Sequence, residues 1–221
     1  MNKPQSGARQ KYDPRATFDP VKRLIAKTTN PKHRAILENH HIHGLLEVTG
    51  RWQQILTPAL TVDHPHYCHS DGQRTTVYDG RDSVATFYGG LFDSGMLNLL
   101  GPMSDDYMVS DWGFATFGMW GYQLTGPMAK GMGFEIDDLD AHYYMTQYQT
   151  QTWCYNEDAK LTGEYILEDP GTRTYWKMDP SEVQSGAEHL KILEEQYQEA
   201  IQLPQYRALL GIASSACCSN Q

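Results

Sequence analysis

The chain of 221 residues contains no long apolar run. A membrane-spanning helix needs about 20 consecutive apolar residues, so no membrane partner is expected. Basic charge is also scarce. Lys and Arg number 18 against 27 Asp and Glu, a formal net charge of −9. Nucleic-acid binders neutralise phosphates with clustered Lys and Arg. Here the only basic clusters are "KPQSGARQK" and "NPKHR" near the N-terminus, so no nucleic-acid partner is expected. Cysteine is sparse: Cys68, Cys154, Cys217 and Cys218, with no C-x-x-C. That excludes a zinc ribbon, a thioredoxin motif and a disulfide framework, and fits a reducing cytoplasm. The opening "MNKPQSGARQ" lacks the apolar centre of a secretory signal. P-loop, G-x-G-x-x-G and nucleophile-elbow motifs are absent as well. Any chemistry must then come from acid–base side chains, and no cofactor is expected.

Aromatic residues and histidine are plentiful. There are 14 Tyr, 5 Trp and 9 His. Tyr and Trp join a large apolar body to a polar tip and suit pockets and interfaces. Six of the nine His fall in two short segments. "NHHIHG" holds His40, His41 and His43, and "TVDHPHYCHS" holds His64, His66 and His69.

Pro, Gly and hydrophobic period divide the chain. Residues 1–19 are polar and are expected to lie extended as a surface arm. Asp19 and Pro20 open a helix to Thr28. Pro31 opens a second, over 32–49, with Leu37, His41, Leu45 and Val48 on one stripe. A short helix is expected at 51–57. "LTVDHPHYCHS" reads as a strand with Leu60, Val62, His64 and His66 on one face. "DSVATFYGGLF" reads as a helix capped by Asp79 or Asp82. Beyond residue 100 strands dominate: one long run through "DYMVSDWGFATFGMWGYQLTG", broken or bulged near Gly113, then a hairpin turning at Asn156–Lys160. In the first run Trp112, Phe114, Trp120 and Tyr122 share parity. The connection 125–141 has no period and is long enough to be a lid. Ser181 and Gln184 match a capping box before a helix at 187–202. The order gives an α+β fold with helices on one face of a curved sheet.

His64-x-His66 on one strand face is also a metal-ligand geometry. The following "YCHSDGQ" supplies no carboxylate partner, so no metal is expected. His33 and His189 read as solvated, His41 as a core residue, and Glu168 and Asp169 beside Pro170 as an exposed strand end.

The segment "GRWQQILTPALTVDHPHYCHSDGQRTTVYDGRDSVATFYGGLF" resembles the SnoaL-like branch of the nuclear transport factor 2-like superfamily. Tyr78, Gly80, Arg81, Asp82, Val84, Phe87 and Tyr88 carry the resemblance, which spans roughly residues 33–170. It implies a cone-shaped α+β barrel: a curved antiparallel sheet packed on N-terminal helices, here with an extra C-terminal helix. The domain would cover 20–180, with helix and tail over 181–221. The superfamily's ketosteroid isomerases place a base directly before the strand Pro, which is His64 here. Their oxyanion donors fall at His43 and Gln151. None of the three is the family's residue type, which argues away from steroid isomerisation by that mechanism.

The resemblance implies a cofactor-independent enzyme acting on a hydrophobic aromatic substrate. Lyase chemistry is the leading expectation, such as retro-aldol release of formaldehyde from a lignin-derived aromatic dimer. An isomerase or polyketide cyclase is the alternative, and a non-catalytic binding or assembly domain the other. Catalysis is expected from His64, His43 and Gln151. Substrate contacts are expected from Tyr88, Trp112, Phe114, Trp120, Tyr122, Tyr144 and Tyr148. A homodimer or higher homo-oligomer is expected.

Overall fold

A computed structural model describes residues 9–213. Helices α1 (Asp19–Lys27) and α2 (Pro31–Val48) come first, then a single 3-10 turn at Trp52–Gln54. Strands β1 (Thr61–Ser70) and β2 (Thr75–Asp79) lead to α3 (Arg81–Asp93). Then follow β3 (Leu100–Pro102), β4 (Asp106–Ser110), β5 (Gly113–Thr125), α4 (Gly126–Gly131), β6 (His142–Tyr155), β7 (Leu161–Glu168) and β8 (Thr174–Lys177). Helices α5 (Gly186–Ala200) and α6 (Pro204–Leu209) close the described chain.

All eight strands form one sheet, ordered β2-β1-β7-β6-β5-β3, with β4 also on β5 and β8 also on β6. The architecture is α+β, as the resemblance implies. Two details depart from the expectation. The sheet is mixed, because β1 and β7 run parallel, and its outer strands do not meet to close a barrel. The short strands β2, β3 and β8 carry too few residues for alternation to reveal them.

Helix α2 is the centre of the molecule. Asn30 caps it by accepting from the Lys32 and His33 amides, and Pro31 fills its first turn. It is buried nearly all round, from Ile36 to Leu46. One side packs on α1, α5 and α6. The other side meets sheet aromatics: His40 lies against Phe114 and Trp153, and His43 against Trp153. Burying three imidazoles in such a helix requires a partner for each. Tyrosine supplies all three: Tyr107 for His40, Tyr206 for His41 and Tyr88 for His43.

Several local expectations need correction. Gly80 at φ 81 precedes α3, and neither Asp79 nor Asp82 caps it. Helix α5 is capped by Ser185, whose side chain accepts from the Glu188 amide. Ser181 instead follows Asp179 in a separate 3-10 turn. The surface arm turns inward at Tyr12, which is 1% exposed and whose amide donates to the Tyr144 hydroxyl. No residue of the connection 125–141 lines the cavity described below. Its Ala129, Met128 and Phe134 pack with Leu124, Tyr143 and Met145 in an apolar cluster that reaches the cavity wall at Leu100, Trp120 and Tyr122. Cys68 and Cys154 are free thiols, while Cys217 and Cys218 lie outside the described residues. Among the described residues no helix is long and apolar enough to cross a membrane.

Candidate active site

A cavity of about 180 Å³ opens between α2 and the concave sheet face. Its apolar walls come from Phe18, Val48, Phe87, Leu91, Leu97 and Ile166. Strands β5, β6 and β7 supply the polar lining by simple alternation. Trp120 and Tyr122 project from β5, Gln149, Gln151 and Trp153 from β6, and Glu164 and Glu168 from β7. Helix α2 adds His40 and Glu47, and Asp105 enters from the residue before β4.

Of the substrate contacts expected from the sequence, Trp120 and Tyr122 line the cavity. Phe114 and Tyr88 sit in the main core instead. Tyr144 is on the opposite parity of β6, against Trp176, and Tyr148 stacks on the half-exposed Phe117. Trp112 is at the β4–β5 turn and 47% exposed.

Of the catalytic expectations, only Gln151 lines the cavity. Its Oε1 accepts from Trp153 Nε1 at 3.1 Å, so the NH₂ side is what it can offer a ligand. His43 is fully buried behind the wall, with Nε2 2.8 Å from Tyr88 Oη and 3.6 Å from Glu47. Tyr88 in turn meets Tyr67 at 2.8 Å.

His64 stands outside the cavity, with its side chain 73% exposed and Nε2 3.0 Å from Asp79. The reason is a bulge. Thr61 pairs with Leu161 and His66 with Gly163. Four residues of β1 therefore oppose one of β7, which pushes Asp63 and His64 outward and resets the parity. From the last bulge residue onward Pro65 and Tyr67 face inward, and His69, on the same parity, reaches the cavity. The strand histidines thus exchange places relative to the expectation from unbroken alternation. His64 and His66 share Asp79 at the rim. Among the described residues no three His, Cys, Asp or Glu side chains gather as a metal-binding group.

The sequence reading missed the carboxyl groups. Glu168, expected at an exposed strand end, is largely buried. Its two oxygens meet His69 Nε2 at 2.9 Å and Arg173 at 2.8 Å. Burial pushes this carboxyl up, but the His69 hydrogen bond and the His69 and Arg173 charges bring it net below the usual range. Arg173 also donates to Gln147 Oε1, Gln147 to Tyr122 Oη, and Tyr122 to Gln149 Oε1. This chain of bonds fixes the cavity's Tyr122 and Gln149.

The other carboxyls lack such support. Glu164 is 4% exposed, and its Oε2 has no hydrogen-bond partner. Burial raises its carboxyl well above the usual range, and the Glu47 charge adds to this. Asp105 also has an unpartnered oxygen, Oδ1. Burial pushes its carboxyl up to about 7, although the Thr116 and Tyr107 hydroxyls pull the other way. His40 leaves Nδ1 unpartnered while Nε2 meets Tyr107 Oη at 3.0 Å, and burial holds it neutral. Trp120 Nε1 is buried with no partner as well. Buried polar atoms are nearly always hydrogen-bonded in native proteins. Among the described residues ten buried side-chain atoms lack a partner, and four of them, on His40, Asp105, Trp120 and Glu164, belong to residues lining this cavity. The acidic signal was visible in the sequence only as single Asp and Glu residues without a motif.

No family model and no curated protein matches the chain. Among solved structures, it is similar to a protein from Shewanella putrefaciens CN-32 named as a SnoaL-like polyketide cyclase. The two share 12% identity over 69% of this chain and 90% of the other, with a TM-score of 0.45. It is also similar to SalBIII, an epoxide hydrolase/cyclase-like enzyme of pyran ring formation in the polyether salinomycin. That likeness has 8% identity over 72% of this chain and 97% of the other, with a TM-score of 0.38.

Proposed function

We propose that the cavity carries acid–base catalysis, without a cofactor, on a hydrophobic ring-bearing small molecule, of an isomerase or cyclase type. The observation that carries this reading is Asp105, a carboxyl in an apolar-walled cavity with one oxygen free and a pKa near neutrality. A general acid–base group works best when its pKa lies near the working pH. Burial achieves this for a carboxyl by disfavouring its charged form.

In this reading Asp105 takes a proton from a carbon beside a carbonyl. The C–H electron pair moves into the enolate and its charge settles on the carbonyl oxygen. Trp120 Nε1 and the Gln151 amide are the donors available to that oxygen. Returning the proton to another carbon gives isomerisation. Attack of the carbanion on a second carbonyl gives cyclisation. A retro-aldol lyase would start differently. There the base takes a hydroxyl proton, a C–C bond breaks to release formaldehyde, and the carbanion is protonated. Substrate decides among these outcomes, and the cavity's groups serve each. His64, outside the cavity, takes no part.

The test is proton exchange in deuterated water across a panel of neutral aromatic and alicyclic ketones and aryl-diols, read by mass spectrometry. Enzyme-dependent incorporation or conversion should fall about 10²–10⁴-fold in Asp105→Asn. A variant as active as the parent on any ligand that is turned over overturns the assignment. Binding without exchange or conversion by the unmodified protein would make the chain a binding protein instead.

A further inference from the structure

The cavity's charge balance says what it will admit. Its lining contains four carboxyl residues, Glu47, Asp105, Glu164 and Glu168, and no Lys or Arg. Only Glu168 has a guanidinium against it, from Arg173 behind the wall. The remaining three face a low-dielectric space whose two lining imidazoles are His40, kept neutral by burial, and His69, taken by Glu168. Two of the three have an oxygen with no partner, and the Glu164 residue is 4% exposed. The unmet polar atoms of the lining are thus two carboxyl oxygens, the donor Trp120 Nε1, and His40 Nδ1, whose role follows the tautomer.

We propose that this cavity selects uncharged or cationic ring compounds carrying O–H or N–H donors together with one acceptor, and rejects carboxylates and phosphates. The inference rests on the reading of the cavity as the substrate site, but not on which reaction occurs there. A ligand hydroxyl or amine can donate to Glu164 Oε2 or Asp105 Oδ1. A ligand carbonyl or ether oxygen can accept from Trp120. An anion would meet a carboxyl-rich wall in which His69 is already taken by Glu168, and it would enter more easily once Asp105 takes up a proton, below about pH 7. The selection therefore depends on pH for anions and little for neutral ligands.

Three inert probes of one shape test this: 2-naphthol, 2-(aminomethyl)naphthalene and 2-naphthoate. Trp120 and Trp153 line the cavity, so tryptophan fluorescence reports occupancy, with calorimetry as the check. At pH 7.5 the naphthol and the amine should bind, and the naphthoate at least about tenfold more weakly. Lowering the pH to 5.5 should recover naphthoate affinity and leave naphthol affinity unchanged. The double variant Asp105→Asn, Glu164→Gln should bring naphthoate close to naphthol at pH 7.5. Its fold is checked by circular dichroism, and the single variants replace it if it fails to fold.

Naphthoate binding as tight as naphthol in the unmodified protein overturns the inference. So does failure of the folded variants to relax the discrimination, or the absence of binding by all three probes. Discrimination without any turnover would remove the catalytic reading and leave this one standing.

Discussion

Replacing Asp105 by Asn should make the protein more stable at alkaline pH, even as it removes activity. In the unfolded chain this carboxyl ionises near 3.8; in the folded chain burial holds it at about 7. Below pH 3.8 both states are protonated and the group contributes nothing to the difference. Between 3.8 and 7 the folded state keeps a proton that the unfolded state has lost, so stability falls as pH rises. Above 7 the full penalty applies. Each unit of pKa difference corresponds to about 1.4 kcal/mol, so three units set an upper bound of about 4 kcal/mol. Partial solvent access and relaxation make roughly 2–4 kcal/mol the expected penalty. Asn matches the shape and cannot ionise. At pH 8 the variant should therefore melt roughly 4–16 °C higher, given about 2–4 °C per kcal/mol for a domain of this size. At pH 5 the gain should shrink to about a third to a half of that. Parallel calorimetric melts at the two pH values measure both numbers. A variant gain that is equal at pH 5 and pH 8, or a variant less stable at pH 8, would refute the argument.

The Arg173–Glu168 pair gives a second stability prediction. Both side chains are nearly nine-tenths buried, so Arg173→Met should cost about 3–5 kcal/mol in denaturant titrations, and adding Glu168→Gln to it should recover part of the loss. His64→Gln should leave kcat unchanged on whatever substrate the deuterium screen identifies, whereas His69→Gln, which changes the cavity wall beside Glu168, should alter KM.

How far the sequence reads through to this structure depends on how local the determining physics is. Helices α1 and α2 are punctuated by Asp19-Pro20 and Asn30-Pro31, and the structure places them within a residue or two of the expectation. The β6–β7 hairpin turns where Asn156–Lys160 indicated. Gln151 came from the family resemblance, whereas Trp120 and Tyr122 were legible because β5 and β6 pair without a break over thirteen positions. Alternation therefore carries straight through to the cavity face. Ser185 was missed because "PSEVQS" offers two serines with capping geometry, and the choice rests on Asp179. Its carboxylate accepts from the Ser181 amide at 2.8 Å and ties that serine into an earlier turn. Asp105 stands in "MSDDYM", which has the composition of a solvated loop. Its burial comes from Gly118 on β5: a Cβ there would press on the Ser104 backbone and lie 2.9 Å from Asp105 Oδ1. Nothing within a few residues of Asp105 encodes that approach.

The histidine clusters make the same point about distance along the chain. Each buried histidine of α2 takes a tyrosine hydroxyl from a different element: β4, α6 and α3. The abundance of His and that of Tyr are therefore partly one fact, the satisfaction of polar groups in a helix with no solvated face. The β1 histidines divide at a bulge, with two pairing with Asp79 outside and one with Glu168 inside. Neither cluster holds its imidazoles together around a reacting centre. Two unpartnered carboxyl oxygens stand instead in the cavity, on Asp105 and Glu164. A buried imidazole can shed its proton, and a buried carboxyl can take one up. Either change removes the charge, but an oxygen left without a hydrogen-bond partner keeps a desolvation cost that folding alone does not justify. Asp105 and Glu164 carry that cost in the same cavity. A ligand that brings donors to both would offset it, which is the physical reason to look there, and not to the histidines, for what this protein acts on.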